Sequence, residues 1–96
     1  MSITVRVLLP GVLAEHADGG HDVRLDLPPG ARVDDALAAL AGRWPSLGQR
    51  LRTDRGEVRR HVNLFVDGED VRSLGRGATP LDDGSVLQVL PSVAGG

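Results

Sequence analysis

Asp22-Val23-Arg24-Leu25-Asp26-Leu27-Pro28-Pro29-Gly30-Ala31-Arg32-Val33-Asp34-Asp35-Ala36-Leu37-Ala38-Ala39-Leu40-Ala41-Gly42-Arg43-Trp44 changes its hydrophobic period halfway along. Before Pro28, Val23, Leu25 and Leu27 alternate with Asp22, Arg24 and Asp26, the period-two pattern of a half-buried strand. After Gly30, Val33, Leu37, Leu40 and Trp44 recur at helical spacing with Ala36 and Ala41 beside them, which places Trp44 in the core stripe. Pro45 stops the helix near Trp44. Asp34 and Asp35 fall in the first turn, where carboxylates meet the positive end of the helix dipole. The N-cap is open between Arg32, a poor capping residue, and Asp34, a good one.

Upstream, Ile3, Val5 and Val7 alternate with Thr4, Arg6 and Leu8, a strand ended by Pro10-Gly11. It faces the Asp22–Leu27 strand across a loose hairpin loop containing Asp18-Gly19-Gly20. Downstream, Ser46 to Arg52 adds a short helical turn with Leu47 and Leu51 inward, and Thr53 to Glu57 is a polar loop. Val62, Leu64 and Val66 make a third strand with His61, Asn63 and Phe65 opposite. Asp67-Gly68 is a hairpin turn leading to a short strand around Asp70-Val71-Arg72. Ser73 to Thr79 is irregular, and Pro80 to Gly84 turns into a last strand, Ser85 to Leu90. There Leu87 and Val89 take one face and Val86, Gln88 and Leu90 the other. The order β-β-α-β-β-β predicts a two-layer α+β domain, a mixed sheet of four to five strands on one main helix. Its first and last strands can pair in parallel through the long crossover between them.

Composition narrows the chemistry. Ninety-six residues make one domain, 41% hydrophobic and 25% charged, with a net charge of −2. That charge gives no basic footprint for nucleic acid. No apolar run approaches the ~20 residues of a membrane span. Met1 to Arg6 shows no signal peptide, so the expected location is cytoplasmic. Without Cys there is no disulfide, thiolate metal site or Cys nucleophile. All 11 basic residues are Arg, so no side-chain amine is present to be acylated. His16, His21 and His61 lack metal-ligand spacing, and no metal site is expected. Asp67-Gly68-Glu69-Asp70 is too short for a calcium loop, and Gly75-Arg76-Gly77 lacks the rest of a dinucleotide fingerprint. No acid, base and nucleophile set is visible, so the chain is not expected to be an enzyme. Arg59-Arg60-His61 is either a solvated strand edge or a contact for an acidic partner surface.

The remaining feature is the end, Leu90-Pro91-Ser92-Val93-Ala94-Gly95-Gly96. Glycines pass through narrow channels, and a terminal glycine carries its carboxylate on the least hindered carbon. A carboxylate resists nucleophiles; an acyl-adenylate accepts them. A Gly-Gly end by itself is also consistent with a frayed terminus.

The tail, the turn-strand Asp82-Asp83-Gly84-Ser85-Val86-Leu87 and the β-β-α-β-β-β order resemble the MoaD/ThiS family of ubiquitin-like β-grasp sulfur carriers. His61-Val62-Asn63-Leu64-Phe65-Val66-Asp67-Gly68-Glu69-Asp70-Val71-Arg72 is most similar to the CysO type, and the resemblance covers essentially the whole chain. It implies a β-grasp domain over residues 1–92 and an extended tail over 93–96. It also implies a MoeB/ThiF-type, E1-like partner that uses ATP and magnesium to adenylate Gly96, with no cofactor bound permanently to the carrier. Gly96 then becomes a thiocarboxylate, while Val93, Ala94 and Gly95 thread into a sulfur-accepting synthase. A metalloprotease that frees cysteine is a further implied partner. The chain would be a protein co-substrate.

Strand alternation with the usual β-grasp register puts Leu8, Phe65, Gln88 and Leu90 on the face away from the helix, a candidate docking surface with Arg60 beside it. A one-residue slip would instead put Phe65 in the core. A molybdopterin synthase small subunit, a ubiquitin-like modifier and an interaction module are the alternatives.

Overall fold

The computed structural model describes residues 1–91. Five strands form one mixed sheet in the order β2-β1-β5-β3-β4. They are β1 (Ile3–Leu8), β2 (Asp22–Leu27), β3 (Val62–Val66), β4 (Glu69–Asp70) and β5 (Val86–Pro91). β1 pairs antiparallel with β2 and parallel with β5, so the two ends of the chain meet at the centre of the sheet. β5 pairs antiparallel with β3, with Leu64 opposite Val89 and Phe65 opposite Gln88.

The alternation resolves as the sequence implies. Val5, Val7, Val23, Leu25, Leu27, Val62, Leu64, Val66, Leu87 and Val89 are buried on the covered face. Their cover is α2 (Val33–Arg43), which buries Val33, Ala36, Leu37 and Leu40, and α3 (Pro45–Leu51), which buries Leu47 and Leu51. Each buried Val or Leu contributes roughly 1.5–3 kcal/mol by leaving water. This two-layer arrangement is the ubiquitin-like β-grasp.

Several local expectations are corrected. The connection between β1 and β2 is not a plain loop: α1 (Gly11–Ala14) and a 3-10 turn (Glu15–Ala17) bury Leu13, Ala14 and Ala17 under the sheet's end. The short strand stops at Asp70. Val71–Ser73 is a 3-10 turn whose N-cap, the Asp70 carboxylate, accepts from the Arg72 backbone N–H at 2.9 Å. Arg32, not Asp34, occupies the N-cap position of α2, and its side chain makes no capping bond. Instead the Asp35 carboxylate accepts from the Arg32 N–H at 2.8 Å, the reciprocal half of a capping box. Trp44 is only partly buried, at the rim of the core. Its Nε1 donates to the Asp18 carboxylate at 2.9 Å, and the Arg43 guanidinium lies 4.2 Å from the ring centroid. An indole with a polar handle settles where that N–H finds an acceptor. Asp67 and Gly68 both take positive φ, the geometry of a type I′ hairpin turn.

Candidate functional site

The uncovered face of the sheet is the site that the strands build. Register places Asp22, Leu8, Gln88, Phe65 and Asp70 in a single row across all five strands. Directly opposed side chains in such a row have Cβ atoms roughly 5 Å apart and touch. Leu8, Gln88 and Phe65 are half-buried, and Leu90, opposite Asn63, is 37% exposed. Phe65 is therefore on the outer face, and the slipped register is excluded. Four of the expected docking residues thus meet in one patch. Val86, opposite Arg6, widens the same patch. Alternation had already placed it on that face.

Charge brackets the apolar centre. At the β2 side Arg6 grips Asp22 through two hydrogen bonds, 2.6 Å and 3.2 Å. At the β4 side Arg72 grips Asp70 at 2.8 Å and 3.1 Å and also donates to the Asn63 amide oxygen at 2.9 Å. The hydrogen bonds from these arginines hold both carboxyls below the usual aspartate range. Both therefore stay ionised, and the pairs form polar rims on either side of an apolar centre.

Arg60 does not join this row. It is exposed just before β3 and lines a cleft that reaches Val62 and Leu64 on the covered side of the sheet. A smaller recess of about 280 Å³ lies at the end of β5, where Pro91 meets Val12, His16, Arg50 and His61. The sequence reading missed this recess because it depends on α1, which carries no strong helical period. Among the described residues no three metal-ligating side chains converge. Val93, Ala94, Gly95 and Gly96 lie outside the described residues.

The fold is that of the ubiquitin-like proteins, and the relatives that follow place the chain among their carriers and modifiers. Residues 7–96 match the ThiS family, and the chain belongs to it. It is 32% identical to the sulfur carrier protein CysO of Mycobacterium bovis over 96 residues, 98% of this chain and all of the relative. It is 46% identical over 66 residues to small archaeal modifier protein 3 of Haloferax volcanii, 69% of this chain and 71% of the relative. The crystal structure of the Amycolatopsis orientalis BexX/CysO complex contains a chain that superposes with a TM-score of 0.83 at 33% identity, covering 96% of this chain and 99% of that one. Among the described residues no helix is long and apolar enough to cross a membrane.

Proposed function

We propose that this chain is a sulfur carrier whose working group is the Gly96 carboxylate. A carboxylate oxygen attacks the α-phosphorus of ATP, held with magnesium in an E1-like MoeB/ThiF-type partner, and pyrophosphate leaves. Hydrosulfide, or a donor of it, attacks the acyl carbon and expels AMP, leaving a thiocarboxylate with one oxygen replaced by sulfur. A biosynthetic synthase then takes the sulfur, for cysteine or for a sulfur-containing metabolite such as a thiosugar. On the cysteine route a metalloprotease frees the product from the tail. The carrier is a co-substrate in this scheme and works in the cytoplasm, where ATP and the activating enzyme are.

The observation that carries the reading is the full-length likeness to CysO within a family match that runs to Gly96. The patch of Leu8, Phe65, Gln88 and Leu90 would dock the partners, while Val93, Ala94 and Gly95 would span the channel to the reacting centre. The alternative is a modifier whose tail forms amide bonds with partner lysines, which the likeness to a small archaeal modifier protein favours.

One experiment separates them. The protein is incubated with a ThiF-type partner, ATP, magnesium and sulfide, and its intact mass is measured. The carrier reading expects the gain of a single oxygen-to-sulfur exchange, lost on deleting Gly96. Unchanged carrier mass with conjugated partner lysines would establish the modifier instead.

A further inference from the structure

A cleft among the described residues opens on the other side of the sheet from the docking row and meets that row only at Asp70 and its partner Arg72. It has a volume of about 570 Å³ and lies over the covered side of β3, where the helices give way to two loops. Val62, Leu64 and Val71 form an apolar floor, and Arg59, Arg60, Arg72 and Arg76 stand around it. Four of the 11 basic residues of an acidic chain converge here, although they are spread over two segments of sequence. Their states differ. Arg72 is committed to Asp70 and Asn63, and Arg59 spends its Nε on the Gln49 carbonyl at 2.7 Å. Arg60 and Arg76 make no ion pair among the described residues.

Arg76 also sits in left-handed backbone, φ 53°, between Gly75 and Gly77. A non-glycine residue seldom adopts that conformation unless its surroundings enforce it. The turn packs closely on α2: a Cβ at Gly77 would meet the Asp34 carboxylate at the start of that helix. Two carboxylates, Asp34 and Glu57, share the rim. With the Asp70–Arg72 pair neutral, Arg59, Arg60 and Arg76 outnumber them by one.

An apolar floor, free guanidinium forks and two hydrogen-bond acceptors are a set of complementary groups for one kind of ligand. The volume falls within the roughly 300–1,000 Å³ of small-molecule sites. Guanidinium groups pair bidentately with phosphate or carboxylate and stack on flat rings. The geometry points to a binding site for a small organic anion, a flat or apolar body bearing a phosphate or carboxylate and hydroxyl groups that Asp34 and Glu57 can accept. A nucleoside monophosphate has this chemistry. The assignment uses no chemistry of Gly96, so its fate does not decide the carrier reading.

The test is a titration of the isotope-labelled protein with AMP, followed by backbone amide resonances, with inorganic phosphate and adenosine as separate probes. The expected result is saturable shifts confined to the cleft lining, residues 56–64 and 70–78 with Asp34, and AMP binding more tightly than either fragment. Arg76→Glu should weaken AMP by roughly fivefold or more, since it removes one favourable charge and adds an opposing one. Arg24→Glu, on the opposite face, should leave it unchanged. Shifts that do not saturate, that spread over every arginine, or that Arg24→Glu weakens equally would overturn the site. Phosphate binding as tightly as AMP would overturn the organic part of the assignment.

Discussion

Gly48 shows how much a single hydrogen can decide. It lies buried on α3 where that helix crosses α2, and a Cβ built there would come 2.5 Å from the Ala41 Cβ and 2.9 Å from its Cα. The neighbour is backbone-anchored, so the helices must separate to admit a methyl group. Gly48→Ala is expected to cost about 1–3 kcal/mol, the usual range for overpacking, and to lower the thermal midpoint accordingly. Gly77→Ala meets the movable end of Asp34 instead and should cost less; both are checked by thermal denaturation. Titration gives the second prediction at this scale. The Asp22 and Asp70 carboxyls are held below their ordinary range chiefly by hydrogen bonds from Arg6 and Arg72. Such depressed groups add stability above the unfolded value near ~4, and lose it as pH falls through the folded value. The midpoint of Asp70→Asn should therefore fall less steeply than that of the parent below about pH 4. Parallel curves would show that the pair does not couple to folding.

Elements were legible where their pattern was long. The period change between Leu27 and Val33 placed β2 and α2 correctly, because alternation and helical spacing report directly which face is buried. Elements held by tertiary contact were not. Gly11–Ala14 is too short to carry a helical period and has no side-chain cap; it is helical because Leu13 and Ala14 find a place to be buried. β4 is two residues long because Val71 turns into the core and Asp70 caps the turn that takes it there. Alternation did place Phe65 outward, and pairing across β1, β5 and β3 turned that into a row with Leu8 and Gln88. Phe65→Ser should leave the fold within roughly 1 kcal/mol of the parent, the size of a cross-strand contact. Its affinity for a ThiF-type partner should drop at least about tenfold, if the aromatic anchors that interface. Unchanged affinity in a binding titration would assign docking to another face.

For the molecule as a whole the decisive contact is the parallel pairing of β1 with β5, which joins residues from opposite ends of the chain. Leu87 sits at that junction, fully buried, opposite Val7 on one side and Val66 on the other. Leu87→Ala is expected to cost about 2–5 kcal/mol in urea unfolding. That is a large part of the roughly 5–15 kcal/mol available to such a domain. The equivalent truncation at the sheet's edge, Leu27→Ala on β2, should cost less because the site can collapse toward solvent.

The sequence by itself determined the order of the strands and the main helix, which face of each strand is buried, the lack of cysteine and lysine, and the Gly-Gly pair at 95–96. These are local or compositional properties, carried by spacing along the chain. Only the tertiary structure decided the five-residue row from Asp22 to Asp70, the rim position of Trp44, the helical α1 segment and the gathering of four arginines around one cleft. Each of these depends on which residues distant in sequence become neighbours. That proximity is set by strand pairing and by the packing of loops over β3, and neither leaves a period in the chain.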